Sequence, residues 1–258
     1  MIAKNIIKEL ELNFPKNLAE EWDNVGLLVG DNRREIKKIQ LSLDATEKAI
    51  DNAIENGVDM LVTHHPMIFK GIKNIDYSTV LGRKIIKLIE NRINLYALHT
   101  NLDSALNGLN DYIIKELGVS NSKVIDENIN GESCGIGRVY KLDKETTVAE
   151  YIKLLKEKLE IENVRLVGEE SSLIKKVAIV NGSGMNYWRK VKKLDVDLFI
   201  TGDVGYHEAL DAMESGLNLI DIGHFESEQC FARLLKSYFE KMSIDVIIYN
   251  DGPIFKNY

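Results

Sequence analysis

Short apolar runs alternate with amphipathic stretches along most of the chain, which predicts strands and helices in turn. The apolar runs that predict strands cover residues 39–43, 59–63, 93–98, 177–180 and 217–222. The amphipathic stretches predict helices at 2–13, 47–56, 79–91 and 147–158, between Asp103 and Gly118, and from Ser227 onward. A strand followed by a helix, repeated along a chain, is typical of an α/β fold with a largely parallel sheet.

The second half of the chain repeats the order of the first half. Four segments are echoed in the same sequence: 23–30 by 162–168, 39–43 by 177–180, 59–65 by 197–203, and 94–103 by 218–228. One echo could arise by chance, but four in order indicate an internal duplication. We therefore expect two intertwined, duplicated α/β lobes with mostly parallel mixed sheets flanked by helices. The first repeat covers residues 1–128 and the second covers 129–258, and the strand-like segments 135–142 and 244–250 fall outside the repeat.

Composition and charge narrow the class of protein. The 258 residues are 45% hydrophobic and 28% charged, which suits one large core or two smaller ones. No apolar run approaches the roughly 20 residues that cross a bilayer, so we expect no membrane partner. The two cysteines have no paired spacing, which argues against a disulfide framework and favours a reducing, cytoplasmic location. A net charge of −7 does not indicate nucleic acid as a partner, although the basic segments 33–38 and 189–193 could form local faces.

Histidines and acids follow the predicted strands. His64 and His65 come directly after strand 59–63, and His99 follows strand 93–98 with Asp103 four residues later. His224 lies just beyond strand 217–222, with Glu228 again four residues later. The carboxyl ends of strands in open α/β sheets are where ligand sites form. Neutral imidazole with carboxylate suits zinc, iron or manganese.

The number of these side chains bears on the kind of site. His64, His65, His224, Asp103 and Glu228 are more donors than one tetrahedral ion needs once water is included. A pair of ions about 3.5–4 Å apart would use them all. Structural roles are the alternative: Asp103 could cap a helix, His64 and His65 could bond to backbone at a strand end, and Glu228 could be a solvated helix residue.

Six motifs together carry a resemblance to a known family. They are 22–27, 43–46, 63–66, 99–103, 201–203 with 206–210, and 224–228. In these motifs the chain resembles the NGG-interacting factor three-like proteins, which are also catalogued as GTP cyclohydrolase I type 2 homologues. It resembles their short form, which lacks a domain that other members insert between the halves. The resemblance implies two intertwined repeats, a dinuclear metal site and commonly a toroidal homohexamer with the metals facing its interior. It also implies the metal ligands, which are His64, His65, Asp103, His224 and Glu228, with Glu228 as the bridge.

Two divalent ions suit hydrolysis of an amide-like, ring C–N or phosphoester bond. We therefore expect a metal-dependent hydrolase that acts on a nucleotide or related small molecule, and the family label implies opening of the guanine imidazole ring of GTP. Candidates for orienting the ligands or transferring protons are His99, Asp203, His207 and Glu226, although His207 and His99 could equally be structural. The alternative functions are a ring-shaped metal-containing module that binds DNA, RNA or protein, and a metal chaperone or insertase.

Overall fold

The computed structural model describes residues 1–128, 130 and 133–256. The strands are β1 (Gly26–Val29), β2 (Lys38–Ser42), β3 (Met60–Thr63), β4 (Asn94–Ala97), β5 (Lys123–Glu127), β6 (Gly135–Thr147), β7 (Arg165–Val167), β8 (Leu173–Ile179), β9 (Leu198–Thr201), β10 (Asn218–Asp221) and β11 (Asp245–Ile248). The helices are α1 (Ala3–Asn13), α2 (Glu47–Glu55), α3 (Val80–Glu90), α4 (Thr100–Ser104), α5 (Leu109–Glu116), α6 (Val148–Leu159), α7 (Trp188–Lys193), α8 (Tyr206–Glu214), α9 (His224–Glu228) and α10 (Phe231–Glu240). Single 3₁₀ turns lie at Lys16–Leu18 and Met185–Tyr187.

The chain divides into two compact units, each built on its own sheet. The first unit consists of Met1–Ala105 and Phe231–Gly252, and the second consists of Leu106–Cys230 and the residues after Gly252. The chain therefore leaves the first unit after Ala105, returns to it at Phe231 and leaves it again after Gly252. These units are bounded differently from the sequence repeats, whose predicted limit at residue 129 lies outside the described residues. The repeat limits of 1–128 and 129–258 stay a prediction.

The two sheets contain the same four-stranded arrangement. In the first unit the strand order is β1-β4-β3-β2-β11, and in the second it is β5-β6-β8-β9-β10-β7. Strands β2, β3 and β4 run parallel, as do β8, β9 and β10. One edge strand of each sheet, β1 in the first unit and β7 in the second, is antiparallel to its neighbour. The predicted fold class, a duplicated α/β protein with mixed sheets flanked by helices, is confirmed.

Matching side chains hold matching positions in the two sheets. The carboxylate of Asp59 accepts hydrogen bonds of 2.8 and 3.1 Å from two successive backbone N–H groups at the start of β2. Asp197, its counterpart, accepts bonds of 2.8 and 2.7 Å from two successive N–H groups in β8. Each acid thereby ties the start of one parallel strand to the start of the next. The echo between 59–65 and 197–203 thus reflects a repeated structural device.

The central strands are buried on both faces, as parallel strands covered by helices usually are. All four residues of β3, of β4 and of β9 are buried. In the first unit, Leu61 and Leu95 of the sheet share a core with Ile50 of α2 and with Ile85 and Leu88 of α3. In the second unit a separate core contains sheet residues together with residues of α7 and α8, namely Ala178, Phe199, Leu219, Val191 and Ala212.

The structure corrects two predictions of secondary structure and adds one strand that was not predicted. The helix expected from Ser227 begins at His224, because Gly223 adopts a φ of 86° that turns the chain directly from β10 into α9. The helix expected between Asp103 and Gly118 is interrupted after α4, where Ala105 is extended. Strand β5 has no predicted counterpart, since its mostly polar sequence gives little apolar signal. Among the described residues, no helix is long and apolar enough to span a bilayer.

Candidate metal centre

The first unit places three histidines and an acid at the carboxyl ends of neighbouring parallel strands. His64 and His65 follow β3 directly, and His99 follows β4 and precedes α4. Because β3 and β4 are parallel and adjacent, their ends lie at the same edge of the sheet. One ring nitrogen from each of these histidines lies within 4.8 Å of the others. These three residues are called the three-histidine cluster below.

The tautomer of each histidine follows from what its Nδ1 contacts. Nδ1 of the fully buried His64 lies 2.7 Å from the carbonyl oxygen of Leu98. A carbonyl only accepts hydrogen bonds, so Nδ1 of His64 carries the proton and Nε2 keeps its lone pair. This is the arrangement that metal-binding histidines usually adopt.

Carboxylates orient the other two rings of the cluster. Nδ1 of His65 lies 2.9 Å from Oδ1 of Asp44, which follows β2. Nδ1 of His99 lies 2.9 Å from Oδ1 of Asp23, which precedes β1. An ionised carboxylate accepts a hydrogen bond, so both rings donate from Nδ1 and direct the lone pair to Nε2. All three histidines thus expose the same atom for ligation.

Asp23 is held ionised by its surroundings. Burial by itself raises the pKa of this carboxyl, but hydrogen bonds from His99 and Thr100, with the electrostatic interaction with His99, outweigh burial and lower the pKa below its usual value. Both the backbone N–H and the hydroxyl of Thr100 donate to Oδ2, at 3.1 and 2.5 Å. Asp23 therefore fixes the ring of His99 and the first residue of α4 together.

Asp103 lies inside α4 and beside His64. Its side chain is buried, with a residue exposure of 6%, and its Oδ1 is 3.7 Å from Nε2 of His64. The N-terminal cap position of α4 is occupied by His99. Asp103 is thus placed where its carboxylate and the lone pair of His64 could share an ion.

The second unit places a His/Glu pair on one face of α9. Nε2 of His224 lies 3.2 Å from Oε2 of Glu228, one helical turn later. Nδ1 of His224 lies 2.6 Å from Oδ2 of Asp203, which follows β9, so Asp203 orients this ring with Nε2 toward Glu228. Asp203 adopts a φ of 53°, which directs its side chain back toward α9.

Glu228 is buried, at 3% exposure, and its orientation is fixed by the segment that follows β8. The amide Nδ2 of Asn181 donates to Oε1 of Glu228 at 2.9 Å. Gly182 lies directly beneath the pair: a Cβ at this residue would come within 2.4 Å of Oε1 of Glu228 and 3.4 Å of Nε2 of His224. Its φ of 58° also favours glycine. This backbone forms a cradle that any side chain would fill.

Two of the candidate residues lie apart from these donor groups. His207 begins α8 together with Tyr206, is exposed, and contacts the Tyr206 ring edge-on at 5.4 Å between centroids. Glu226 is half-buried and its carboxylate packs against Gly223. A Cβ at Gly223 would lie 2.1 Å from Oε2 of Glu226. Of the other two candidates, Asp203 orients His224 and His99 belongs to the three-histidine cluster.

Sequence reasoning missed several residues that shape these groups. Asp44 and Asp23 stood within recognised motifs but had no assigned role. Asn181 and Gly182 lie outside the motifs and had no assigned role either. The signal that could have found Asp44, Asn181 and Gly182 is their position just after a strand, at the carboxyl end where ligand sites form.

The basic segment 33–38 carries acidic partners. Its four basic residues each lie within 4.0 Å of a carboxylate oxygen: Arg33 with Asp31, Arg34 with Asp59, Lys37 with Glu35 and Lys38 with Asp245. In segment 189–193, Arg189 and Lys190 pair with Asp211 and Asp126. These pairings neutralise much of the local positive charge that nucleic-acid phosphates would need.

Fold and donor groups together define a duplicated α/β protein with candidate His and carboxylate metal-binding groups. The chain belongs to the Duf34/NIF3 (NGG1p interacting factor 3) family, whose sequence model matches residues 1–252. The GTP cyclohydrolase 1 type 2 homolog of Clostridium perfringens is 49% identical over 228 residues, which cover 88% of this chain and 87% of that protein. The protein of the same name from Clostridium acetobutylicum is 39% identical over 251 residues, covering 95% and 94%. The crystal structure of Staphylococcus aureus protein SA1388 superimposes with a TM-score of 0.89 at 32% identity, over 100% of this chain and 99% of that one.

Proposed function

We propose that this protein is a metal-dependent hydrolase that acts on a nucleotide or a related small molecule. In this proposal His64, His65, Asp103, His224 and Glu228 bind two divalent ions, with Glu228 as the bridging ligand. The observation that carries the proposal is the uniform orientation of the histidines. Each ligand histidine has its Nδ1 bonded to a carbonyl or carboxylate oxygen, so Nε2 is the ring nitrogen that would bind a metal. Histidines with purely structural roles would not need to share the same bonding at Nδ1.

The donor set also limits the metal. Imidazole and carboxylate ligands without thiolate suit iron, zinc or manganese. Both cysteines, Cys134 and Cys230, are buried and neither forms a disulfide, and neither belongs to the donor groups found among the described residues. Cysteines kept as thiols fit a protein of the reducing cytosol, which is the compartment we propose.

Two divalent ions would supply Lewis acidity that polarises a carbonyl or phosphoryl oxygen and makes a nearby water more acidic. The chain itself supplies orientation and proton acceptors. Asp44 and Asp203 keep the rings of His65 and His224 in the required tautomer, and Asn181 holds one oxygen of the Glu228 carboxylate. His99, whose ring is oriented by Asp23, is the side chain that we assign to proton transfer at Nε2. The names of the curated relatives suggest GTP as the first substrate to test.

The test compares metal-loaded and metal-free protein against GTP and a panel of other nucleotides. We expect turnover only in the loaded protein, and its loss in His224→Ala and Glu228→Ala. Turnover that survives both substitutions would overturn the proposed site. Ready transfer of metal to an acceptor protein without turnover would instead indicate a chaperone. Binding of DNA that weakens with salt and survives loss of the ligands would indicate a nucleic-acid module.

We further propose a homohexamer, which the family relationship suggests. The chain has a mass of 29.3 kDa. Sedimentation equilibrium at several protein concentrations tests the proposal, since a hexamer has six times that mass. A species of one chain mass at micromolar concentration would contradict it.

A further inference from the structure

An exposed aromatic pair lies beside the three-histidine cluster of the first unit. The side chains of Trp22 and Phe69 are large and apolar, yet these residues are 56% and 45% exposed. Their ring centroids are 5.6 Å apart and their planes are tilted by 44°. The edge of Trp22 also meets the ring of His99, at 6.0 Å between centroids and 73° between planes. The pair therefore borders the side of the cluster formed by His99.

Hydrogen bonds on both sides hold this pair in place. The residue after Trp22 is Asp23, which binds the ring of His99 and both polar groups of Thr100. The next residue, Asn24, donates from Nδ2 to the carbonyl of Ile68 at 2.5 Å, one residue before Phe69. The two loops that carry the aromatic rings are thus tied to each other and to the metal-ligand candidates. Such fixed positions are unusual for aromatic residues whose only role is to cover a core.

We propose that Trp22 and Phe69 bind a planar aromatic ring of the substrate, of nucleobase size, next to His99. The proposal rests on the proposed function, since it assigns the ring-recognition element of the same site. Aromatic side chains bind flat heterocycles by stacking, and the 44° tilt between the rings leaves a face of each available to a third ring. A cationic ligand could also bind an aromatic face, but divalent ions bound by the neighbouring cluster would repel it. An uncharged aromatic ring is therefore the ligand that can stack on Trp22 and Phe69 without being repelled by ions in the neighbouring cluster.

Calorimetric binding of guanosine monophosphate and of ribose 5-phosphate to the metal-loaded protein tests this assignment. The two probes share the sugar phosphate and differ by the base. The variants are Trp22→Ala, Trp22→Phe and, as a control, Tyr77→Ala, which removes another ring of the first unit that is 59% exposed. We expect the wild type to bind the nucleotide at least about tenfold more tightly than ribose 5-phosphate. We expect Trp22→Ala to lose most of that preference, Trp22→Phe to keep much of it, and Tyr77→Ala to keep all of it.

Equal affinity for the two probes in the wild type, including no binding of either, would overturn the assignment. So would a preference that persists in Trp22→Ala. Elemental analysis of the same samples separates this question from the proposed function. A full complement of metal with no base preference removes only the aromatic site, whereas protein that takes up no metal removes the proposed function. Far-ultraviolet circular dichroism and urea unfolding of Trp22→Ala test whether the remaining fold is intact.

Discussion

The side-chain amide of Asn181 donates a 2.9 Å hydrogen bond to Oε1 of Glu228, and both residues are buried. Asn181 follows β8, whereas Glu228 ends α9 after β10. The bond therefore links two strand ends of the second unit through a carboxylate that we assign to metal. It also fixes which oxygen of Glu228 faces His224, because Oε2 is the atom 3.2 Å from Nε2 of that histidine.

Replacing Asn181 with Leu removes this amide donor and keeps the branching of the side chain, although Leu is the larger residue. We expect metal affinity to fall about 10- to 100-fold, because groups that orient metal ligands typically contribute that much. We also expect the metal-free protein to lose about 1–3 kcal/mol of stability, since a buried carboxylate loses a hydrogen bond. Titration calorimetry with zinc or manganese and urea unfolding measure the two effects. Asn121→Leu, at an exposed asparagine, is the control. Equal metal affinity in both variants would contradict the assigned role of Asn181.

The cradle beneath Glu228 can be tested with one methyl group. Gly182→Ala places a Cβ that would lie 2.4 Å from Oε1 of Glu228, whereas Gly216→Ala places one in open space, and both glycines have positive φ, of 58° and 70°. Both variants should lose about 1 kcal/mol from backbone strain. Only Gly182→Ala should lose metal binding, because only there must the carboxylate move. Elemental analysis of both loaded variants is the measurement, and equal metal content in the two would contradict the geometry.

The two histidines left outside the family ligand set should behave differently. His99 lies in the three-histidine cluster, while His207 is exposed on α8 beside Tyr206. We expect His99→Ala to weaken metal binding by about tenfold or more and His207→Ala to leave the metal content unchanged. Competition against a chromophoric chelator measures both affinities. Similar losses in the two variants would show that His207 has a role that its position does not suggest.

Much of the fold could be predicted from the sequence, because the signals were strong and local. The apolar runs at 59–63 and 93–98 correspond to β3 and β4, which are buried on both faces and are therefore mostly apolar. The start of α9 could not be predicted in the same way. It depends on Gly223 at a φ of 86°, and a glycine does not reveal its conformation from the sequence.

The candidate site was predictable only in part. Histidines after strands indicated a shared edge, since parallel strands bring their carboxyl ends together. The direction of each ring was not predictable, because it depends on contacts with Asp44, Asp23 and Asp203 from other loops. Asn181 and Gly182 were missed for the same reason: their roles depend on a carboxylate 46 or 47 positions away that only the folded sheet brings near.

A buried tyrosine pair predicts how stability depends on alkaline pH. The hydroxyl groups of Tyr140 and Tyr151 are 2.6 Å apart, and burial raises the pKa of Tyr151 to about 12 and that of Tyr140 well above its usual value. A pKa that is higher in the folded state than in the unfolded state stabilises the fold below about pH 10, and this contribution is lost as the pH rises toward 12.

Between about pH 10 and 12, the raised pKa of Tyr151 alone should lower the free energy of unfolding by about 1.4 kcal/mol per pH unit. Urea unfolding between pH 8 and 12 should show no such loss below about pH 10 and at least that slope above it in the wild type, with a shallower slope in Tyr151→Phe. Tyr206→Phe, at an exposed phenol, serves as the control. Identical slopes in wild type and Tyr151→Phe would contradict the role of the pair.

The central claim is that His64, His65, Asp103, His224 and Glu228 together bind two divalent ions. Anomalous diffraction from crystals of metal-loaded protein, recorded on both sides of the metal absorption edge, tests it most directly. The account predicts two anomalous peaks per chain about 3.5–4 Å apart, each bounded by these side chains, with Glu228 between them. Fully loaded crystals with no anomalous peak at these five side chains would contradict it.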